Sequence, residues 1–353
     1  MTFYLIFILL VLLLLVVSKL VKNQKIKKIT LFLSCFLLIA VSALRYNVGT
    51  DYNTYYKWYL ETLGQYYKKE IMYIPFQAFM TFLGFFWKDP IMFFSVTSII
   101  INVFMFKFIV DNQEDYLIAV LAYICLFFYF STFNLVRQWI AVALCLYSIK
   151  YIKNNNFWKY CLFNILAILT HYTAIIFFPV YFMTKIKLSK SKPLIIVLCS
   201  FFLFKVLGIW SFMFKFIKVL FPFYYERYLL IDNSNVNGIF YFLISAGIII
   251  VYNIFYKKLK EKYGEKEFNI RQNLLTICSI FCLLSSVSQI LNRLSLFFVP
   301  LLIIFIPDTL IVCKDKKQKV IFTICGIIFL ILYCIRLLLF NIHEVIPYAM
   351  VFS

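Results

Sequence analysis

Long runs of apolar residues, separated by short polar loops, fill this chain from end to end. Each run approaches the roughly 20 residues that a helix needs to cross about 30 Å of hydrocarbon. The runs lie at residues 3–18, 30–44, 71–87, 91–110, 116–133, 135–152, 158–183, 193–213, 239–256, 273–291, 294–312 and 320–340. A period-two alternation is absent, and only helices or closed barrels satisfy the backbone in a membrane. The pattern predicts an all-α, polytopic membrane protein with about 11–12 apolar helical segments.

Composition agrees with this pattern. Of the 353 residues, 64% are hydrophobic, whereas a soluble domain of this size needs a far larger charged surface. No Ser- or Gly-rich linker divides the chain, so we expect one integral domain over residues 1–353. No internal repeat is evident, which argues against an inverted-repeat transporter.

The net charge of +20 is carried largely by lysines in short loops. These loops lie at residues 19–28, 150–159, 185–192, 257–266 and 314–319. Positive loops of this kind mark the cytoplasmic side of a membrane protein and contact anionic lipid, so a nucleic-acid partner is not expected. The longest segments predicted on the outer side are then 45–70 and 222–238, together with the tail after Asn341.

Two places conflict with a simple alternation of spans. Residues 70–111 contain two apolar runs, parted only by Lys88-Asp89-Pro90, where the lysine pattern requires one crossing. Residues 159–185 contain a single run where the pattern requires an even number of crossings. A pair of short helices that meet at His171 in a re-entrant break removes the second conflict. Such a break needs protein or a water-filled cavity around it.

Arginine is the most informative basic residue. Of 35 basic residues only six are arginine, and four of them fall at predicted outer ends of spans: Arg45, Arg137, Arg227 and Arg293. The guanidinium fork grips phosphate with two parallel hydrogen bonds and stays charged in a low-dielectric site. Converging on one face, these arginines would suit a pyrophosphate. The alternative is that each reaches lipid head groups or pairs with a nearby acid.

Two residues are candidates for proton transfer. His171 lies in the middle of an apolar run, where an ionisable side chain is costly and usually faces a cavity. Near neutral pH its imidazole can accept a proton from a sugar hydroxyl, although it can also serve as a structural residue at a helix break. Asp51 can act as the base, can bind sugar hydroxyls, or can cap a helix and pair with Arg45.

Amide and aromatic groups flank these residues. Gln138 and Asn292, each next to an arginine, supply the donors and acceptors used in sugar binding. The flat faces of Tyr46, Tyr52 and Tyr55 suit pyranose rings, although tyrosines also form interfacial belts. The chain lacks a Walker-type phosphate loop and paired aspartates, so we expect neither a metal nor another cofactor.

Three stretches together resemble the EpsG family of bacterial exopolysaccharide proteins, which are related in type to Wzy polysaccharide polymerases. In chain order they are Arg45-Tyr46-Asn47-Val48-Gly49-Thr50-Asp51-Tyr52-Asn53-Thr54-Tyr55, Asn134-Leu135-Val136-Arg137-Gln138-Trp139-Ile140-Ala141, and His171-Tyr172-Thr173-Ala174. Asn292-Arg293-Leu294 matches the family's late arginine. One departure is Trp139, which is bulkier than expected beside a substrate.

The resemblance implies a multi-pass glycosyltransferase of the bacterial cytoplasmic membrane. Such a protein joins oligosaccharide repeat units carried on undecaprenyl pyrophosphate at the outer face, in a pathway with a flippase and a chain-length regulator. Arginines would hold the leaving pyrophosphate without a metal, His171 or Asp51 would activate the acceptor hydroxyl, and Gly49 belongs to the substrate-binding motif.

Three other functions stay open from sequence. A membrane O-acyltransferase that decorates polysaccharide would also carry a histidine within the membrane, but it has no need of clustered arginines. A flippase for lipid-linked oligosaccharide predicts charges along a pathway through the midplane. A scaffold subunit predicts that the arginines only anchor lipid, so that lysine could replace them.

Overall fold

A computed structural model describes residues 1–65, 70–220, 222, 236–313 and 315–352. The described chain is helical, without strands, and a single isolated bridge pairs Arg45 with Met350. The prediction of an all-α, multi-pass membrane protein is confirmed.

Most helices follow the apolar runs, but several runs are broken, and two helices, Tyr52–Leu63 and Tyr256–Ser285, include residues that the sequence predicts in loops. In chain order the first helices are α1 Thr2–Leu20, α2 Gln24–Ala43, α3 Tyr52–Leu63, α4 Ile74–Gly84, α5 Pro90–Asn112, α6 Tyr116–Cys125, α7 Phe128–Ser131, α8 Val136–Lys153 and α9 Phe157–Thr170. They are followed by α10 Val180–Met183, α11 Lys192–Phe201, α12 Trp210–Leu220, α13 Val236–Ile254, α14 Tyr256–Ser285, α15 Gln289–Ser295, α16 Leu302–Phe305 and α17 Lys316–Leu339.

Five described helices are long and apolar enough to cross a membrane: α1, α2, α5, α14 and α17. A sixth crossing is possible by length through α15 and Val299–Leu310, which are bent by 45° at a short break. The other runs divide where the backbone cannot continue a helix. Phe127, for example, has a left-handed φ of 69° between α6 and α7, and Pro307 opens a separate 3₁₀ turn.

The region 70–111 shows how one break arises. The Asp89 side chain accepts a hydrogen bond from Ile91 N–H at 2.8 Å, and Pro90 occupies the first turn of α5. This pair is a strong start signal for a helix. Helix α4 has 11 residues, about 16 Å of helix, and is too short to cross alone. Only α5 has spanning length here, which agrees with the single crossing that the lysine pattern requires.

The predicted helix break at His171 is present. Helix α9 ends at Thr170, and Tyr172–Phe177 continues as a 3₁₀ helix before α10. The His171 side chain is buried at this break. Its backbone N–H still donates to the Ala167 carbonyl at 2.9 Å, which closes the last turn of α9.

The contacts divide the chain into two compact units. The first contains residues 1–147, 163–172 and 320–353, and the second contains 148–162 and 173–319. In the first unit α2 packs against α1 and α5, and Ser42 and Ser98 share a hydrogen bond of 2.8 Å between α2 and α5. In the second unit α14 is central, because it packs against α11, α13 and α15. The single domain expected from sequence stays a prediction.

Candidate functional site

Residues 45–51 form a turn between α2 and α3 in the first unit, and residues 52–55 of the same motif begin α3. Gly49 has a φ of +101°, a conformation that disfavours any residue with a Cβ atom. A Cβ atom at this position would lie 2.4 Å from Asn134 Oδ1. That amide oxygen also accepts a hydrogen bond from Asp51 N–H at 3.4 Å. The glycine therefore lets the turn approach Asn134 closely.

The C-terminal segment 341–352 lies against this turn. Tyr46 N–H donates to the Ala349 carbonyl at 2.9 Å, and Gly49 N–H donates to the Glu344 carbonyl at 3.0 Å. The Asn134 amide group donates to the His343 carbonyl at 3.2 Å. Two segments that the lysine pattern places on the outer side are thus in direct contact.

Arg45 is buried at the end of α2, with 1% of its surface exposed. One Nη group donates to the Ser42 carbonyl, and the other donates to the Phe133 carbonyl at 3.2 Å. The guanidinium carbon lies 4.8 Å from the ring centres of both Phe94 and Phe133. Its Nε is buried without a hydrogen-bond partner among the described residues. Arg45 therefore joins the turn to the segment before α8 and carries its charge inside the protein.

Arg137 is enclosed by aromatic rings in the first turn of α8. Its guanidinium carbon lies 4.6 Å from the ring centre of Tyr73 and 5.5 Å from those of Trp58 and Phe76. Only 7% of the residue is exposed, and the guanidinium donates no hydrogen bond to any described residue. Its backbone N–H donates to the Tyr55 hydroxyl at 3.3 Å. The ring faces hold the guanidinium in place, and its N–H groups stay available to a ligand.

Both arginines lack an acidic partner among the residues that the structure describes. Burial lowers the pKa of Arg45 to about 10, which still leaves the guanidinium cationic at neutral pH. Leaving a buried charge uncompensated is expensive. The turn and the start of α8 therefore form a region that favours an anion.

Asp51 serves neither of the structural roles considered from sequence. Its side chain does not cap α3, and Arg45 forms no ion pair with it. Tyr52 and Tyr55 are buried, with their ring faces against Phe94 and Phe93 respectively. These two tyrosines build the support of the site, while Tyr46, which is 50% exposed, has a face open to a ligand.

His171 belongs to the same unit as the turn. Its ring stacks on that of Tyr172, with ring centres 6.0 Å apart. Gln138 is buried in α8. Trp139 is fully buried and donates to Ser131 Oγ at 3.0 Å, so its bulk fills the core and the departure noted in the sequence has a structural explanation.

The remaining predicted residues do not belong to the first unit. Asn292 and Arg293 lie in α15 of the second unit, where both are half-buried and Asn292 N–H donates to the Ser288 carbonyl at 2.9 Å. Arg227 and most of segment 222–238 lie outside the described residues. The described residues contain no group of three or more His, Cys, Asp and Glu side chains that could hold a metal ion.

Sequence reasoning missed two features. The first is the contact of the C-terminal tail with Gly49 and Asn134, which is made through the backbone carbonyls of the tail. The sequence predicts only that the tail lies on the outer side. The second feature is a buried ion pair in the second unit, in which Arg271 Nη1 donates to Asp308 Oδ2 at 3.0 Å. A lone arginine within the lysine-rich α14 was the available signal for it.

Together, fold and site define a multi-pass helical membrane protein with buried, uncompensated arginines beside a tyrosine-rich turn. The chain belongs to the EpsG family, whose sequence pattern matches residues 28–350 and so covers both units. The resemblance seen in the sequence is confirmed, and the family suggests a polysaccharide polymerase role. Comparison with curated proteins and with solved structures finds no match.

Proposed function

We propose that this protein joins lipid-linked oligosaccharide repeat units into a surface polysaccharide at the outer face of the bacterial cytoplasmic membrane. The observation that carries the proposal is the pair Arg45 and Arg137, both buried and both without an acidic partner among the described residues. An anionic ligand would complete the charge balance. Undecaprenyl pyrophosphate offers such an anion next to a long apolar chain.

Arg137 is suited to hold the leaving group. Its donors make no hydrogen bond with the described residues, and its guanidinium lies among three aromatic rings. Removing one preorganised donor to a developing negative charge typically costs about 10²–10³ in rate. Arg45, fixed by two backbone carbonyls, would add positive potential and keep the turn in place. A metal ion is not required for this role.

The chemical step is a displacement at the anomeric carbon. The acceptor hydroxyl oxygen bonds to that carbon as the bond from the carbon to the pyrophosphate oxygen breaks. The hydroxyl proton passes to Asp51 or His171, and the negative charge stays on the pyrophosphate. Asp51 is tied to Asn134 through its backbone and Tyr46 offers an open ring face, so this turn can hold the acceptor sugar. Direct displacement would invert the anomeric centre.

A glycan analysis tests the proposal. A strain without the gene is complemented with the wild type, with Arg137→Lys, or with Arg336→Lys as the control, since Arg336 is exposed on α17. We expect single lipid-linked repeat units to accumulate in the strain without the gene and with Arg137→Lys, because lysine keeps the charge but loses the fork. Wild type and Arg336→Lys should restore long chains.

Three outcomes would overturn the proposal. Long chains that persist without the gene but lack acyl groups would indicate the O-acyltransferase. Lipid-linked units that accumulate only on the cytoplasmic side would indicate the flippase. A scaffold subunit would tolerate Arg137→Lys.

A further inference from the structure

The second unit contains a cavity of about 510 Å³ whose lining includes neither Arg45 nor Arg137. It lies among the end of α8, the loop after α10 and the first half of α14. Four lysines line it, Lys185, Lys187, Lys260 and Lys266, against one glutamate, Glu265. The cavity therefore carries a positive balance of charge.

The loop that carries Lys185 and Lys187 is held in place by amide side chains of α14. Asn269 accepts from Leu188 N–H at 3.2 Å and donates to the Thr184 carbonyl at 3.1 Å. Asn273 donates to the Ile186 carbonyl at 2.8 Å. These hydrogen bonds satisfy the loop backbone from the side of the helix. The loop wall of the cavity is thus fixed independently of its lysines.

The opposite wall is fixed as well. Lys266 donates to the Lys153 carbonyl at 2.8 Å, and Lys153 pairs with Glu267 at 2.7 Å, which joins α8 to α14. Lys260 pairs with Glu265 at 3.6 Å. Lys187 is exposed and makes no hydrogen bond or ion pair with the described residues. At least one ammonium group at this cavity is therefore available to a ligand.

The rest of the lining is largely apolar, with Ile152, Leu188, Phe268 and Ile270. Lysines beside an apolar surface match a phosphate ester attached to a hydrocarbon chain. We propose that this cavity binds the head group of an anionic phospholipid from the cytoplasmic leaflet. Lysine-rich loops mark the cytoplasmic side, which is where anionic head groups attract basic residues. The proposed ligand, an anionic phospholipid, differs from the lipid-linked oligosaccharide proposed for the arginine site.

Purified full-length protein tests the site through its thermal unfolding in detergent. The probes are dioctanoyl phosphatidylglycerol, dioctanoyl phosphatidylcholine and glycerol phosphate, the last of which represents a soluble phosphate ester. Lys185→Gln/Lys187→Gln is compared with Lys316→Gln/Lys317→Gln, which removes the same charge from two exposed lysines in the first turn of α17. Lys185→Arg/Lys187→Arg keeps the charge and shows that the loop tolerates substitution.

We expect saturable stabilisation of the wild type by phosphatidylglycerol alone. The apparent affinity should fall about tenfold in Lys185→Gln/Lys187→Gln, and it should be unchanged in the control and in the arginine variant. The proposed site would be overturned if both glutamine variants lost the same affinity for phosphatidylglycerol. It would also be overturned if phosphatidylcholine stabilised the wild type as much as phosphatidylglycerol does. Equal stabilisation by glycerol phosphate would show that the cavity binds a soluble phosphate ester and not a lipid head group.

Discussion

Buried arginines occupy two contrasting environments in this protein. In the second unit Arg271 lies 3.0 Å from Asp308 and 3.1 Å from Glu267, and its exposed fraction is 2%. In the first unit Arg45 and Arg137 are buried to a similar degree, yet neither meets a carboxylate among the described residues. One environment balances its charge internally, and the other does not.

This difference separates a structural arginine from a candidate binding arginine. The Asp308 carboxylate also accepts hydrogen bonds from Tyr252 and Tyr263, so the second environment is satisfied within the protein. At Arg137 aromatic faces replace the acid, and a cation over rings gains only about 0.5–2 kcal/mol. That gain is small beside the cost of an unpaired buried charge. An incoming anion is the simplest compensation.

The largest expected effect is on stability, at Arg271. Arg271→Ala leaves the fully buried Asp308 carboxylate without its cation, and breaking a buried pair in this way costs about 3–5 kcal/mol. We expect a marked loss of folded protein and of the apparent melting temperature in detergent. Arg336→Ala, at an exposed arginine, is the control and should change little. An unaltered melting temperature in Arg271→Ala would show that the pair is not structural.

Arg137→Lys should have the opposite profile. The guanidinium has no hydrogen bond to lose among the described residues, so the melting temperature should stay within a few degrees. Polymer formation should fall about a hundredfold, because the forked donors to the leaving group are lost. The measurement is polymer yield from lipid-linked units at matched amounts of folded protein. If Arg137→Lys lowered the melting temperature as much as the polymer yield, Arg137 would be a structural arginine like Arg271.

The sequence predicts the fold well for the runs that form one unbroken helix. Helices α1, α2 and α5 follow runs that simple length and hydropathy identify, and the His171 break follows from counting crossings. The sequence does not predict where other runs break. In the run 116–133, for example, the break lies at Phe127, whose left-handed backbone conformation is not indicated by the local composition.

The sequence singles out the residues of the candidate site, which stay a prediction, but it does not indicate their surroundings. The run 45–55 and Arg137 stand out because arginine is rare in this chain. The rings of Trp58, Tyr73 and Phe76 around Arg137 were invisible, because they come from two other segments and look like ordinary membrane aromatics. Contacts between distant segments depend on packing, which a single sequence does not encode in any local pattern.

A further prediction concerns Gly49, which positions the turn beside the uncompensated arginines. Gly49→Ala would place a Cβ atom 2.4 Å from Asn134 Oδ1 in a backbone of φ +101°. We expect a cost of about 1–3 kcal/mol and a clear loss of polymer. Gly247→Ala is the matched control, because a Cβ atom there meets no atom within 4 Å. Thermal unfolding and polymer yield are measured together, and a neutral Gly49→Ala would show that the close approach to Asn134 is dispensable.

The smallest effect compares one tyrosine hydroxyl in each environment. The Tyr55 hydroxyl accepts a hydrogen bond from the backbone N–H of Arg137 at 3.3 Å. The Tyr263 hydroxyl donates a hydrogen bond to the Asp308 carboxylate at 2.6 Å. Loss of one hydrogen bond costs about 0.5–1.5 kcal/mol, and more where the partner is charged. Tyr55→Phe should therefore lower polymer yield by less than tenfold with little change in melting temperature. Tyr263→Phe should lower the melting temperature and leave the yield per folded protein intact, whereas the reverse pattern would assign the catalytic environment to the second unit.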